Sequence, residues 1–365
     1  MTANIAAIVV NYRCAELTLR AAASFFAQCP DGHLAVVDNS EDPREAQTLG
    51  RRLPGETQLV VNAVNTGFAG ACNSAFDLCD HELVLLLNPD AQLLPDSLRI
   101  LSTALLNNPQ LGAVSPIQYW DQERQWRLPP AWLPTGISEW SLLMASTKRR
   151  HAHRMTQGAR ALAQKIWCAP PGAIVPQRAL SGGALLLRRS ALEGEKSLFD
   201  PGYFMYFEDS DLCWRLRQKG WQLGMVCDAG VVHEWHHTNA KVQLMETSKD
   251  LYFRKHFHQK GQWEKRLGKL QACPLLDNPL SAQDLAWGTV ALEVPDAWQA
   301  GWVLEVSPSP LLIPSIGHLG IGDHAQLDWH LFERIATPML YLRLGPLQKE
   351  MGGERLYRVA RPASH

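Results

Sequence analysis

The sequence has no long hydrophobic segment, no excess charge of either sign and no closely paired cysteines. Its apolar runs, such as LVLLL at 83–87, are far shorter than the roughly 20 residues that a membrane-spanning helix needs. The start, MTANIAAIVVNYR, lacks the charged region and the small-residue cleavage site of a secretory signal, so we expect a cytoplasmic protein. With 35 Lys and Arg against 36 Asp and Glu, the net charge of −1 gives no general attraction for nucleic acid, and no nucleic-acid partner is expected.

The eight cysteines are scattered, and none forms a C-x-x-C pair. This spacing argues against a disulfide framework and a structural zinc site, so we expect free thiols. Hydrophobic residues make up 46% of the chain and charged residues 19%, which is ordinary for a globular protein. A chain of 365 residues with this composition is expected to form one large domain or two.

Short apolar runs alternate with helical patterns in the first part of the chain, at IAAIVV, LAVVD, LVVN and LVLLL. Near-continuous Val, Ile and Leu strands separated by helices predict an α/β fold with a parallel sheet covered on both faces. The carboxyl ends of such strands share one edge, where ligands bind. Four polar residues follow these strands and are therefore predicted to line one site: Asn11, Asp38, Asn88 and Asp90.

The composition changes along the rest of the chain. Residues 127–180 carry several prolines around a helical middle, with eight Lys or Arg and one acid, and are predicted to form a basic helical insertion of net charge +7. From about 280 onward, strand-like segments separated by Pro and Gly predict a small β-rich appendage. We therefore predict a main domain over 1–270 and a β-rich accessory domain over 271–365.

Two segments that follow strands have both a ligand-binding and a structural interpretation. Asp90, held by a proline turn, suits a hard cation that bridges phosphates, but an isolated N-P-D triplet is also common turn chemistry. In NAVNTGFAGACNSAF at 62–76, Gly67 would let the backbone approach a ligand, and Asn65 and Asn73 could supply amide groups. A glycine-containing turn before a helix explains that segment equally well.

Acidic residues cluster at Glu208, Asp209 and Asp211, where a helix is predicted to begin. Helix capping alone could explain them. The preceding aromatic run, Tyr203 to Phe207, would however desolvate an inward carboxylate and make it a better base near neutral pH. His233, after an apolar strand, is either a structural histidine or a metal ligand.

Taken in order, several motifs resemble the inverting family 2 glycosyltransferases of the GT-A fold, especially the rhamnosyltransferase-like branch. The motifs are VVNY, VVDNS, NxGFAxxxN, LLLNPD, SGGALLLRR, FEDSDLCWRLRQKGW and VVHEWHH, within about residues 5–260. The resemblance implies a Rossmann-like nucleotide-diphospho-sugar transferase domain, with the basic insertion on its acceptor side. It also implies a nucleotide-sugar donor and a divalent metal, Mg²⁺ or Mn²⁺.

The resemblance further implies a glycan or lipid-linked glycan acceptor in cell-surface polysaccharide synthesis. The first expectation for the donor is dTDP-rhamnose, and UDP-linked hexoses or N-acetylhexosamines stay open. A sugar nucleotidyltransferase and a non-catalytic glycan-binding protein are the competing functions. The Gly-rich loop followed by Arg and Lys that usually begins a nucleotidyltransferase is missing from 5–20, and the intact acids argue against a binding protein.

The resemblance assigns donor contacts to strand-end and loop residues: Asn11, Asp38, Asn65, Gly67, Asn73, Asn88, Gly182 and Gly183. The two adjacent glycines would let the sugar approach the backbone. Asn88 replaces the first acid of the common D-x-D pattern. Asp90 and His233 are then the expected metal ligands.

On the acceptor side, the resemblance makes Asp209 the general base that removes the proton of the attacking hydroxyl. Glu208 is the second acid assigned to catalysis, and it and Asp211 would position the acceptor or hold the helix. Trp214 is expected on the acceptor side. One carboxylate suffices for a single displacement with inversion.

The insertion places an apolar stretch, Trp140 to Met144, beside a basic cluster over 148–154. Such a pairing suits the headgroup region of an anionic membrane, so we predict peripheral contact through 137–167 at the inner face of the membrane. The alternative is a helical lid that packs its apolar side on the catalytic domain and leaves its basic face in solvent.

Overall fold

The computed structural model describes residues 5–236, 239–257, 261–348 and 352–362. No helix in these ranges combines the length and the apolar character that a bilayer crossing requires. The strands are β1 (Ile5–Asn11), β2 (His33–Asp38), β3 (Thr57–Val61), β4 (Leu83–Leu87), β5 (Ala91–Leu93), β6 (Leu111–Tyr119), β7 (Trp126–Arg127), β8 (Ile174–Gln177), β9 (Ala184–Arg188), β10 (Gln222–His233), β11 (Gln283–Asp284), β12 (Ala291–Glu293), β13 (Trp302–Ser307), β14 (Ile316–Gly320), β15 (His324–Gln326), β16 (Met339–Pro346) and β17 (Arg355–Ala360).

The α-helices connect these strands and cover the sheet. They are α1 (Ala15–Phe26), α2 (Pro43–Arg52), α3 (Gly67–Asp77), α4 (Ser97–Asn107), α5 (Gly136–Thr147), α6 (Arg149–Trp167), α7 (Glu208–Gln218), α8 (Asn239–Phe257), α9 (Gly261–Gln271) and α10 (Trp329–Phe332).

The N-terminal strands form the parallel part of the sheet. β1 lies between β2 and β4, and β3 pairs with β2, all in parallel. Because side chains alternate along a strand, Ala6 and Ile8 enter a core covered by α3 and α7, whereas Ala7 and Val9 enter a core covered by α1 and α4. The predicted sheet with helices on both faces is confirmed here.

Beyond β4, outside the stretch for which the sequence predicts parallel strands, the sheet is mixed. β9 runs antiparallel between β4 and β6, and β10 is parallel to β6 but antiparallel to β5 and β8. A contact between two distant segments accounts for the direction of β9. The Gly183 carbonyl accepts a hydrogen bond from the Asn88 N–H, so the chain enters β9 at the edge where β4 ends and must run back.

The C-terminal strands are correctly predicted in outline, since the strand-like segments TVALEV, GWVLEV, MLYLRL and RLYRVA overlap β12, β13, β16 and β17. β13, β14, β16 and β17 form an antiparallel array around its own core, which includes Trp298 and Trp302. The short strand β7 pairs with both β6 and β14, so this array continues the main sheet. A domain boundary between 270 and 271 stays a prediction.

A buried ion cluster ties the insertion to the C-terminal strands. Glu305 on β13 and Arg343 on β16 are both 0% exposed, and the guanidinium donates two hydrogen bonds of 2.6 Å to the carboxylate. Arg160 of α6 approaches the same carboxylate to 3.7 Å. Burial opposes ionisation of Glu305, but the charge of Arg343 outweighs it and lowers the pKa of Glu305. The cluster therefore holds α6 against the C-terminal sheet as a fixed contact.

The insertion forms the α5–α6 hairpin, and its apolar side is largely occupied by protein. Met144 is buried, Leu142 packs against the cluster that includes Leu311 and Leu312, and Trp140 and Leu143 are partly buried. The basic side faces outward, with exposed side chains at Lys148, Arg149, Arg150, His153 and Arg154 and a partly buried one at His151. These contacts fit the lid interpretation for the apolar side, and membrane contact stays a prediction.

Candidate active site

Asn11 and Asp38 meet where β1 and β2 end, at the predicted edge. Asn11 Nδ2 lies 2.9 Å from Asp38 Oδ1 and within 3.0 Å of Ser40 Oγ and Glu45 Oε2. Asn11 Oδ1 accepts a hydrogen bond of 2.8 Å from the Thr18 hydroxyl. Asn11 is 0% exposed, and both ends of its amide are engaged within the protein. Its contacts therefore fit a residue that fixes Asp38 rather than one that touches a nucleotide directly.

The loop before α3 holds another part of the protein. Gly67 has φ of +73°, and a Cβ there would lie 2.2 Å from the Phe204 carbonyl oxygen. The missing side chain therefore lets the backbone of Phe204 pack closely against Gly67. Asn65 Oδ1 accepts a hydrogen bond from the Gly67 N–H. Asn73 exchanges two hydrogen bonds with the backbone of Phe199. The loop thus fixes the segment that leads into α7, and nucleotide contacts by these residues stay predictions.

The turn after β4 is fixed at both ends. The Asn88 N–H donates to Gly183 and the Glu234 N–H donates to the carbonyl of Asp90, at 2.9 and 3.0 Å. β5 then pairs antiparallel with β10, which places His233 opposite Ala91. This register brings the side chain of Asp90 next to His233, although 143 residues of chain separate them.

His233 is 5% exposed, and Gln118 holds its ring. Its Nδ1 lies 2.8 Å from Gln118 Oε1. Because an amide oxygen only accepts, Nδ1 carries a hydrogen, and in the neutral imidazole Nε2 then presents its lone pair. Nε2 lies 3.3 Å from Asp90 Oδ1 and 3.4 Å from Asn88 Nδ2. Sequence reasoning missed Gln118, which lies inside β6 and belongs to no motif.

The pair formed by Asp90 and His233 suits a divalent cation. Two electron-rich atoms 3.3 Å apart repel each other unless a cation or a proton lies between them. Adjacent octahedral ligands at about 2.1 Å from Mg²⁺ are about 3 Å apart, so this spacing fits one coordination shell. Within the described ranges, no group of three or more His, Cys, Asp or Glu side chains is placed to hold a metal. Such an ion would take its remaining ligands from substrate oxygens, water or the Asn88 amide.

Asp209 lies in the first turn of α7 and faces the loop before β9. Its Oδ2 accepts a hydrogen bond of 3.1 Å from the Gly182 N–H, and its Oδ1 accepts one of 2.6 Å from the Ser210 N–H. Burial raises the pKa of Asp209, and these hydrogen bonds offset part of the rise. The carboxylate is thus held in one orientation, with its pKa shifted toward the range where a general base works.

Glu208 differs from its neighbour. It is 5% exposed, and its Oε2 has no hydrogen-bond partner among the described residues. Burial, with a smaller contribution from the charge of Asp209, raises the pKa of Glu208 well above its usual value and favours the neutral acid. Tyr206 and Phe207 have φ of +70° and +65°, a strained conformation for these residue types. Glu208 is thus a buried acid at the strained entry to α7, and its catalytic role stays a prediction.

Asp211 is 0% exposed and surrounded by cationic side chains. Arg215 lies 2.8 Å from its Oδ2, while Lys255 and His256 lie 2.7 and 2.8 Å from its Oδ1. Burial alone would raise the pKa of Asp211, but these hydrogen bonds outweigh it and hold the pKa well below the usual range. Of the two roles that the sequence left open, the contacts fit holding the helix.

Asp209 and His233 line one cavity of about 460 Å³, within the range of small-ligand sites. Gln118, Ser181 and Ser210 supply most of its other polar groups. Trp214 lines an adjoining groove, and its place on the acceptor side stays a prediction. Its ring packs 5.3 Å from that of His256 and 5.1 Å from that of Phe257.

Comparison with known proteins identifies the class. Residues 3–263 match the model of the family described as glycosyltransferase like family 2. The match covers more than half of the chain, so the chain belongs to this family of GT-A glycosyltransferases. The predicted family and fold class are thereby confirmed.

The chain is similar to an N-acetylglucosaminyl-diphospho-decaprenol L-rhamnosyltransferase of Mycobacterium tuberculosis, with 26% identity over 228 residues, 56% of this chain and 67% of that protein. Among solved structures, the mannosyltransferase PcManGT from Pyrobaculum calidifontis, in complex with GDP-Man and Mn²⁺, has a TM-score of 0.45 and 17% identity, over 74% of this chain and 69% of that one. GalNAc-T7 with UDP, GalNAc and Mn²⁺ has a TM-score of 0.46 and 14% identity, over 98% and 67%.

We expect Gly183→Ala to displace His233, because the added Cβ would lie 2.6 Å from the ring Cε1 and 2.9 Å from Nδ1. The shift would break the hydrogen bond to Gln118, and Mn²⁺ affinity should fall by about tenfold or more, as for other outer-shell changes. Calorimetric titration of Mn²⁺ in the presence of dTDP measures this. Gly182→Ala is the matched control, since its Cβ meets nothing closer than 3.6 Å. Equal Mn²⁺ affinity of both variants and the wild type would contradict the placement of His233.

Proposed function

We propose that this glycosyltransferase moves a sugar from a nucleotide-sugar donor to a glycan or lipid-linked glycan acceptor, with inversion at the anomeric carbon. One observation carries the proposal: Asp209, a fixed carboxylate with a raised pKa, opens into the same cavity as His233. The cavity thus brings together a base that can act on the acceptor and a metal ligand that can act on the donor. The setting is the synthesis of cell-surface polysaccharide.

For the donor we propose dTDP-rhamnose. The support is the similarity to a rhamnosyltransferase over 56% of the chain. UDP-linked hexoses or N-acetylhexosamines are the alternative donors, because no side chain described above distinguishes one sugar from another. Asp38, at the end of β2, is the proposed contact to the nucleotide, with Asn11 fixing it.

Asp209 acts as the general base in this proposal. Its carboxylate takes the proton from the acceptor hydroxyl as that oxygen attacks the anomeric carbon, and the bond from that carbon to the diphosphate breaks. The N–H groups of Gly182 and Ser210 orient the carboxylate. Attack from the face opposite the leaving group, without a covalent intermediate on the enzyme, inverts the anomeric centre.

Asp90 and His233 would hold the divalent metal, with Gln118 fixing the histidine tautomer. When bound, Mg²⁺ or Mn²⁺ supplies positive charge that neutralises the diphosphate leaving group. Because the hydrogen bond to Gln118 fixes the His233 ring, Nε2 would bind the metal without a change in ring orientation. Because Asn88 stands in place of an acid, Asp90 is the single carboxylate in this proposed metal site. We therefore expect the ion to be held weakly.

Two other functions are compatible with a nucleotide-binding α/β domain. A sugar nucleotidyltransferase would form a nucleotide sugar from a sugar phosphate, and a non-catalytic glycan-binding protein would do no chemistry. Hydrolysis of nucleotide sugars in the presence of Mn²⁺ separates an active transferase from a binding protein. Family membership and the oriented Asp209 favour the transferase.

We expect Asp209→Asn to lower kcat by about 100-fold or more while donor affinity is retained, because the base is lost and the strand-end contacts remain. The wild-type kcat/KM should rise as the pH passes through the raised pKa of Asp209, since only the ionised carboxylate accepts a proton. The residual kcat/KM of the variant should not show this rise. Asp250→Asn, an exposed position on α8, is the control. More than about a tenth of the wild-type kcat in Asp209→Asn would remove Asp209 from the base role.

We expect Asp90→Ala to weaken donor binding mainly when divalent metal is present, because the carboxylate acts through the cation. Calorimetric titration of dTDP-rhamnose with Mn²⁺ and then with EDTA tests this. The wild type should lose affinity in EDTA, and the variant should show little difference between the two conditions. Equal binding and turnover of the wild type in EDTA would refute the roles of both Asp90 and His233.

We also propose peripheral contact of the α5–α6 hairpin with an anionic membrane, through the exposed cations of 148–154. Each such residue contributes about 1 kcal/mol near an anionic surface. We expect the protein to sediment with anionic liposomes, less so at high salt, and to stay in the supernatant when Lys148, Arg149, Arg150 and Arg154 are changed to Gln. Equal recovery of wild type and variant in the supernatant would leave the hairpin as a lid.

A further inference from the structure

The cavity that Asp209 and His233 line has few other polar groups. Gln118 and the serines supply most of them, and the rest of the lining is mainly apolar. Trp132, Leu142, Leu162 and Met245 line it from the insertion and α8. A small polar glycan would leave much of this apolar surface in contact with water.

The other apolar wall comes from the C-terminal region, mainly from the connection between β13 and β14. Its residues are Val306, Pro308, Leu312, Ile313, Pro314 and Ile316. They lie outside residues 3–263, the segment that matches the family. The β-rich region therefore contributes to the reaction cavity itself.

Hydrogen bonds fix this wall in place. The Thr156 hydroxyl of α6 donates to the Leu311 carbonyl at 2.8 Å, and the Ser307 hydroxyl donates to the Pro314 carbonyl at 2.6 Å. The Ser315 hydroxyl donates to Glu305, whose carboxylate belongs to the buried ion cluster. The wall is thus a built surface that needs no closure to form.

The cavity leads toward a second, larger groove of about 890 Å³. The two share part of their lining, namely Ala131, Trp132, Ala159 and Leu162. Arg154 and Arg178 line the second groove, so positive charge lies along its side. Apolar walls with cations at the margin match an amphiphile that carries negative charge.

We propose that residues 306–316 bind the apolar chain of a lipid-linked acceptor, next to the sugar that presents its hydroxyl to Asp209. The inference deepens the proposed function and rests on it for the role of Asp209. The connection between β13 and β14 is then the specificity element of the enzyme: it selects acceptors that carry an isoprenoid chain over free glycans.

The test is direct binding of farnesyl diphosphate by calorimetry, in EDTA so that the diphosphate has no cation to bind. Inorganic pyrophosphate is the headgroup control. We expect Ile313→Asp to raise the Kd of farnesyl diphosphate at least tenfold, because it places a charge in the apolar wall. Ile321→Asp is the matched control, since Ile321 is 77% exposed and is not part of that wall, and its Kd should stay within twofold of wild type.

Met245→Asp provides a second variant should Ile313→Asp fail to fold. Met245 lines the opposite side of the cavity and is 42% exposed, so the change is tolerated by the fold. The change should also raise the Kd of farnesyl diphosphate at least tenfold, while the affinity of each folded variant for dTDP stays unchanged. Equal binding by wild type and both cavity variants, or pyrophosphate binding as tight as farnesyl diphosphate, would overturn the lipid site.

The two proposals fail in different ways. Suppose that no nucleotide sugar serves as a donor, but the wild type binds farnesyl diphosphate and Ile313→Asp does not. The lipid site then stands, and the proposed transfer reaction is wrong. If sugar transfer proceeds but farnesyl diphosphate binds no better than pyrophosphate, the lipid site alone is wrong.

Discussion

The buried carboxylate of Asp211 sets the position of the reaction centre. It is 0% exposed and is held by Arg215 on its own helix and by Lys255 and His256 on α8. A charge in this environment is stable only while its partners are in place, so α7 and α8 are fixed relative to one another. Asp209 lies two residues earlier, and its direction toward Gly182 follows from this anchoring.

The entry to α7 is constrained from the other side as well. Phe204 approaches Gly67 so closely that no side chain fits there, and the Phe68 N–H donates to the Phe204 carbonyl at 2.8 Å. The Ser248 hydroxyl donates to the carbonyl of Met205 at 2.7 Å. Held at both sides, the chain adopts left-handed conformations at Tyr206 and Phe207. Strain at this junction is supported by surrounding contacts, as is common at functional sites.

Local signals in the sequence predicted where the polar strand-end residues lie. Asn11 with Asp38, and Asn88 with Asp90, follow apolar strands, and parallel strands necessarily bring their ends to one edge. The sequence could not show what the glycines accommodate. Gly67 and Gly183 lie against the backbone of Phe204 and the ring of His233, which are distant in the chain, and contacts of these glycines with the donor stay predictions.

Long-range packing also explains what was missed. Gln118 orients His233 across 115 residues of chain, and a glutamine inside a strand carries no recognisable signal. The direction of β9 depends on where the insertion returns to the sheet, which periodicity does not encode. The contribution of 306–316 to the cavity depends on β7, a two-residue strand that joins the C-terminal array to the main sheet.

The central claim is that the edge formed by the strand ends binds the donor diphosphate beside Asp209. A crystal structure with dTDP and Mn²⁺ tests it most directly, with the anomalous signal of manganese locating the ion. We expect the ion at bonding distance from both His233 Nε2 and the Asp90 carboxylate, with diphosphate oxygens in its coordination shell. The thymine ring of dTDP should lie near Asp38. Manganese away from this pair, or dTDP bound elsewhere on the protein, would contradict the assignment.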